Sequence, residues 1–216
     1  MDYAHHPEHP RIPVQKNEAL TKKIAFFDFD GTITTQDSLL EIIRFKKGTA
    51  GLVIGFLLHA PLLIAYKIGI ISNHTAKERM LRYFFGGHSA DAFQADCNRF
   101  ANEFLPAFIR PKALHEINRL KELGFTVVVV SASAENWITE WSESLQLPLI
   151  ATKLEIQNGK ITGRLNGRNC YGTEKVQRIK AAFDLSEYGT IHCYGDTKGD
   201  KPMLELATFS FYKPFR

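Results

Sequence analysis

Apolar residues crowd this chain in short blocks whose period changes from one to the next. Residues 24–29 form an apolar run with aromatics that stops at Asp30-Gly31. A run of that length predicts a buried strand. From about Ser38 the period becomes helical, with Leu39, Leu40, Ile42 and Ile43 on one side and Asp37 placed to cap. Residues 51–71 are almost continuously apolar, and residues 75–110 carry helical patterns broken at Gly86-Gly87. Pro111 opens a helix that reaches Leu123, with Gly124 at its stop. Four consecutive valines in residues 126–130 predict a strand covered on both faces, as in a parallel sheet. Residues 149–165 predict a β-hairpin, because alternating apolar positions flank Asn158-Gly159. A helix over about 174–183, a strand over 190–194 and a short strand over about 208–211 complete the pattern.

Strands alternating with helices predict an α/β fold with a doubly wound, mostly parallel sheet. Residues 21–40 and 111–216 form its core, and residues 41–110 read as an inserted helical cap. Residues 1–20 read as a flexible tail, since Pro7, Pro10 and Pro13 block regular structure; His5, His6 and His9 belong to it. No apolar block follows a basic start, so the tail is not a secretory signal. The net charge of +4 suits an anionic substrate or an anionic membrane surface. No basic stripe is interleaved with aromatics, which argues against nucleic acid. Cys97, Cys170 and Cys193 are scattered, as reduced thiols in a cytoplasmic protein are. Nothing in the sequence sets an oligomeric state.

Open α/β sheets bind ligands beyond the carboxyl ends of their strands. Three such ends here are polar: Asp28-Phe29-Asp30-Gly31-Thr32, Ser131-Ala132-Ser133, and Gly195-Asp196-Thr197-Lys198-Gly199-Asp200. Asp28 and Asp30, two residues apart at a strand end, can approach one phosphorus from different angles. One can attack while the other protonates the leaving oxygen and later activates water. Several carboxylates around a phosphate need a positive partner. Lys175 is one candidate and magnesium the other, with Asp28 and Asp196 suited to direct ligation and Asp200 to support. Ser131 ends a buried strand, just before a helix expected near Ala134, so its hydroxyl and the backbone N–H groups there can hold phosphate oxygens. Lys175 stands in the first turn of its helix behind Thr173 as the expected cap. A cation there opposes the helix dipole by ~0.3–1 kcal/mol, which a bound anion offsets. Arg178 and Lys180 are the neighbouring alternatives.

These four motifs, in this order, resemble the haloacid dehalogenase superfamily of phosphotransferases. The resemblance implies Asp28 as nucleophile and Asp30 as general acid/base, with the Asp30 backbone carbonyl on magnesium. It implies Thr32, Ser131 and Lys175 on the phosphate, and Asp196 on the metal with Asp200 supporting. The cap position and residues 153–163 are similar to the phosphoserine phosphatase-like branch. Phosphoserine phosphatase places a glutamate on its first cap helix; here Asp37, one methylene shorter, matches it. Arg79 and Arg82 are the candidates for a carboxylate-binding arginine.

The apolar stretch 51–71 cannot be a single membrane span. That topology would leave Asp28 on one side of a bilayer and Ser131, Lys175 and Asp196 on the other, and His59 and Pro61 interrupt the run. Two arrangements remain: short helices buried in the cap, or a hairpin lying in a membrane interface. Such a cap resembles the phosphatidylglycerophosphatase branch, which implies a lipid phosphate as substrate and peripheral contact through residues 52–70 at the inner face of a membrane. Arg44, Lys46, Lys47, Lys67, Lys77 and Arg79 bracket the stretch. A membrane-facing hairpin requires Leu57, Leu58, Leu62 and Leu63 to be exposed. Two readings outside the enzyme class compete. A phospho-acceptor receiver lacks a second aspartate like Asp30 and lacks the large insertion. A non-catalytic membrane protein has no need of four intact motifs.

Overall fold

In chain order the computed structural model, which describes residues 22–216, begins with strand β1 (Lys22–Phe27). The expected tail lies outside the described residues. Four helices follow: α1 (Ser38–Leu58), α2 (Ala60–Lys67), α3 (Asn73–Phe85) and α4 (Ala90–Arg99). Then come α5 (Pro111–Glu122), β2 (Phe125–Ala134), α6 (Thr139–Ser144) and β3 (Leu149–Thr152). The remainder is β4 (Leu154–Gln157), β5 (Lys160–Leu165), α7 (Thr173–Ala182), β6 (Tyr188–Gly195), α8 (Lys201–Leu204) and β7 (Phe209–Tyr212).

β1 is the middle strand of a five-stranded sheet in the order β3-β2-β1-β6-β7, and every pairing in it is parallel. Its side chains alternate between two cores. Ala25 and Phe27 join the larger cluster, with Val127 and Val129 of β2; Ile24 and Phe26 join the smaller, with Val128 and Val130. Consecutive valines are therefore what a strand with a core on each face requires.

Several predicted boundaries move. β1 ends at Phe27 rather than at residue 29, because the chain turns sharply through Gly31, whose φ is +79°. A Cβ on Gly31 would meet the Asp196 carboxylate at 2.5 Å, so the turn requires glycine. β2 runs on through Ser131 to Ala134, and a single turn at Glu135–Trp137 precedes α6. The hairpin is confined to β4 and β5, with Asn158 and Gly159 at φ +51° and +69° as its turn requires. β3 instead extends the main sheet beside β2. Gly172, not Thr173, occupies the cap position of α7.

The Asp37 carboxylate caps α1, accepting from the N–H groups of Leu39 (2.9 Å) and Leu40 (3.2 Å). Gly48, at φ +71°, breaks the helix in its middle and re-aims the apolar half. That half rests on α3, where Gly55 leaves room only for the Phe84 ring. α2 then departs at 63° and contributes no buried residue. Leu57 and Leu58 are 69% and 63% exposed, while Leu62 and Leu63 are half-buried. Among the described residues no single helix is long and apolar enough to cross a membrane; α1 and α2 pass that test only as a bent pair. The bracketing cations are partly engaged elsewhere. Arg44 pairs with Glu41, Lys46 with Asp96, and Lys77 turns inward.

Candidate active site

Strand register assembles the site. Phe27 of β1 lies opposite Val129 of β2 and Tyr194 of β6, so the residues just beyond these positions meet at one edge of the sheet. Asp28, Ser131 and Asp196 are those residues. The Asp28 N–H donates to the Tyr194 carbonyl at 2.9 Å, which locks the first loop onto the third strand.

Lys175 reaches this edge from α7. Its Nζ lies 2.5 Å from Asp28 Oδ1, 2.7 Å from Asp200 Oδ1 and 2.9 Å from the Val130 carbonyl. The ammonium is fully enclosed, and three acceptors match its three donors. This decides between the neighbouring cations: Arg178 is spent on Glu174 and on the Ala151 and Arg168 carbonyls, and Lys180 is exposed. The second oxygen of Asp200 accepts from the N–H groups of Asp196 and Thr197 and from the Thr197 hydroxyl. Asp200 thereby holds both Lys175 and the loop after β6. Asp196 is freer: the Thr32 hydroxyl touches one oxygen at 3.4 Å, and the Arg216 guanidinium lies 2.5 Å from the other.

Asp30 faces a different set. One oxygen accepts from the Ser38 N–H at the start of α1 (2.7 Å), the other from the Ser133 hydroxyl (2.5 Å). Behind these, the Trp137 indole donates to the Ser38 hydroxyl, which donates to Ser133. Asp28 and Asp30, two residues apart, therefore sit in separate networks.

Their acidities follow. Burial pushes Asp28 up to about 7, against the pull of Lys175. Burial, with Asp37 nearby, pushes Asp30 up to about 6, although the Ser133 and Ser38 hydrogen bonds oppose this. Burial also raises Asp196. For Asp200 burial acts upward too, but the Lys175 charge and the hydrogen bonds together carry it below its ordinary value. Proximity to Asp28 and Asp200 raises Lys175 despite burial.

One oxygen each of Asp28, Asp196 and Asp200 lie within 4.8 Å of one another, and all three side chains are buried. Hard oxygen donors in such a group suit magnesium. Asp28 and Asp30 open into a cavity of about 320 Å³. Its polar wall includes Lys77, Asn73, Asn169 and Ser133, and its apolar wall includes Leu39, Ile43 and Met80. Ser131 is fully buried behind Ser133, whose N–H donates to its hydroxyl at 3.0 Å. Thr32 is likewise buried, between Asp28 and Asp196.

Of the specificity candidates, Asp37 lines the cavity mouth while capping α1. Arg79 and Arg82 are exposed and do not line the cavity; the Arg82 backbone abuts Gly163 of β5 instead. Sequence reasoning missed Lys77 and Ser133. Both had a signal: Ser133 is two residues from Ser131 along a strand, and Asn73, Lys77 and Met80 recur on one helical face.

Residues 25–205 match the haloacid dehalogenase-like hydrolases, and the chain belongs to that family. It is 33% identical over 192 residues to protein CicA of Caulobacter vibrioides, covering 88% of this chain and 85% of that one. It is 34% identical over 95 residues to the phosphoserine phosphatase of Archaeoglobus fulgidus, covering 42% of this chain and 27% of that enzyme. A solved structure of a protein of unknown function from Bordetella pertussis Tohama I has the same fold, with a TM-score of 0.77 at 24% identity over 88% of this chain and 89% of that one. The family and its phosphatase relatives make this enzyme a phosphatase.

Proposed function

We propose that the enzyme hydrolyses phosphomonoesters through a covalent phosphate on Asp28. The observation that carries this is the division of labour between the two carboxyls: Asp28 is bound to an enclosed ammonium, while Asp30 is held apart by Ser133 and Ser38. The Asp28 carboxylate attacks phosphorus, and the bond to the ester oxygen breaks. The Asp30 carboxyl gives its proton to that oxygen, so a neutral alcohol departs. Asp30, now ionised, takes a proton from a water that attacks the phosphoaspartate. Inorganic phosphate leaves, and both carboxyls return to their starting states. Lys175 balances the charge on Asp28 and Asp200 and faces the phosphoryl group. Ser131 and Thr32 stand behind it as supports for phosphate oxygens.

Asp28 and Asp196, with Asp200 supporting, would hold magnesium, and the Asp30 backbone carbonyl would join them. When bound, the metal polarises a phosphoryl oxygen and offsets the carboxylate charge.

The cavity wall bears on the substrate. Leu40, Phe56 and Leu63 line it, and the same three residues line an apolar groove on the outer face of α1 and α2, beside Leu57 and Ile64. A phosphomonoester with an apolar tail fits this continuous path, which favours a lipid phosphate met at a membrane surface through residues 52–70. Phosphoserine is the alternative; Arg79 and Arg82 stand outside the cavity, so neither is placed to hold its carboxylate. Phosphate release from dodecyl phosphate, ethyl phosphate and phosphoserine, with magnesium and with excess chelator, tests the proposal. Metal-dependent turnover with preference for the long chain is expected. Undiminished activity in chelator would refute the metal, and preference for phosphoserine would refute the apolar substrate.

A further inference from the structure

Lys77 projects from α3 into the cavity, where Lys175 is the other lining cation. The two differ in their partners. Lys175 has two carboxylates, whereas both hydrogen-bond partners of Lys77 are neutral: the Ala132 carbonyl and, at 3.4 Å, Asn169 Oδ1. Asn169 is itself fixed, accepting from Thr152 at 2.9 Å and donating to Asn73 at 2.5 Å. An ammonium has three donors, and among the described residues two are used, so one remains for a ligand. A half-buried cation with neutral hydrogen-bond partners has lost part of its hydration without a paired charge, and an anion from the cavity would offset that cost. Burial lowers Lys77 to about 8, with the charges of Asp30 and Asp37 opposing the shift.

The position selects which part of a substrate meets this cation. Ala132 lies between Ser131 and Ser133, and Ser133 binds the carboxyl of Asp30. Lys77 therefore stands on the Asp30 side, where the departing alcohol must lie if Asp30 protonates it; Lys175 stands on the side of Asp28 and Asp200.

We infer that Lys77 is a specificity residue for a second anionic group, a carboxylate or a phosphodiester, carried by the alcohol portion of the substrate. The inference rests on the phosphatase reading and deepens it. The preferred substrate class is a phosphomonoester whose alcohol bears another negative charge a few atoms from the ester oxygen. A neutral alkyl phosphate would bind without satisfying Lys77.

Three esters of matched length test this: propyl phosphate, 3-phosphonooxypropanoate, and the methyl phosphodiester of 3-phosphopropanol. For the wild-type enzyme, kcat/KM for at least one anionic ester is expected to exceed that for propyl phosphate by about 10- to 100-fold, the range of a charge-assisted hydrogen bond. Lys77→Met and Lys77→Gln should bring that ratio near one, and Lys77→Arg should keep most of it. The two anionic esters distinguish carboxylate from phosphodiester. No wild-type preference, or a ratio that both neutral variants leave intact, would overturn the inference. Calorimetric titration of the same esters reads the subsite without turnover. Absent hydrolysis with Lys77-dependent binding would sink the phosphatase reading alone, and equal binding by wild type and Lys77→Met would sink the inference alone. Since the wild-type ratio is itself decisive, failure of one variant to fold leaves the test standing.

Discussion

Asp28, Lys175, Asp196 and Asp200 are no more than 6% exposed, whereas Leu57 and Leu58, at the end of α1, are 69% and 63% exposed. The usual distribution of polar and apolar groups is inverted in both places. On the floor of the candidate site the charges stay buried because each is answered: Lys175 by two carboxylates, Asp200 by Lys175 and three other donors. On the outer ledge, α2 has no fully buried residue, and only its inner side, through Leu63, packs against the core. The floor is held by mutual constraint, so a change there spreads. The ledge is held by its attachment through Gly55 and Phe84, so a change at its tip stays local.

The largest predicted effects lie on the floor. Asp28→Asn should reduce p-nitrophenyl phosphate turnover by more than about 10³-fold, since an amide of nearly equal shape cannot attack phosphorus. Circular dichroism should show the fold retained; near-wild-type turnover would remove Asp28 from its role. Asp30→Asn should cost about 10²–10⁴-fold with alkyl phosphates and less with p-nitrophenyl phosphate, whose phenolate departs without a proton. Equal losses on both esters would show that Asp30 is not the acid.

Stability comes next. Lys175→Met leaves Asp28 and Asp200 buried without their cation, and breaking a buried pair costs about 3–5 kcal/mol. Urea unfolding in metal-free buffer measures this. A change below ~1 kcal/mol would mean that the floor is less constrained than its geometry implies.

The pH dependence has a definite sign. Asp28 and Asp30 titrate near 7 and 6 in the folded protein, above the ordinary aspartate value, mainly through burial. The folded state then binds more protons than the unfolded chain across that interval. The stability contributed by these two groups is complete below about pH 4 and is lost as pH rises through 6 and 7. Calorimetry in chelator should show Tm falling over this window, and a rising Tm would contradict the assignment.

The smallest stability effect belongs to the ledge. Leu57→Glu or Ile64→Glu should change unfolding free energy by no more than about 0.5 kcal/mol. The same substitutions should lower dodecyl phosphate turnover relative to ethyl phosphate. A large loss of stability would mean that the ledge is core, and an unchanged substrate ratio would detach it from the substrate path.

The floor was more legible in the sequence than the ledge. Residues at the ends of buried strands are placed by sheet register, so Asp28, Ser131 and Asp196 could be read together from three separate motifs. Lys175 was left open beside Arg178 and Lys180, since choosing among cations on one helix depends on the direction of its axis. Lys77 was read as a flanking surface charge. Its helical spacing with Asn73 and Met80 was visible, but which side of α3 meets the cavity depends on packing against β5 and the main sheet. The extent of β1 was overread because Phe29 continues the apolar run; the turn after Phe27 is imposed by contact with Asp196, 168 positions away from Asp28. β3 was folded into the hairpin because nothing local distinguishes a strand that pairs with β2 from one that pairs with its neighbour in sequence.

The close approach of Gly31 to Asp196 has a counterpart at Gly195, where a Cβ would come within 2.6 Å of Asp200. Both positions are closed to any larger side chain while those carboxylates remain in place. In evolutionary terms the floor can change only by several coordinated steps, most of them passing through an inactive ancestor. Apart from Gly55, packed on Phe84, and Gly69, at φ +81°, residues 53–70 carry no such interlock and can accept substitutions one at a time. Divergence in this lineage should therefore accumulate as altered substrate preference around an unaltered reaction, and saturation mutagenesis selected on a small phosphate ester would recover variety at the ledge and glycine alone at 31 and 195.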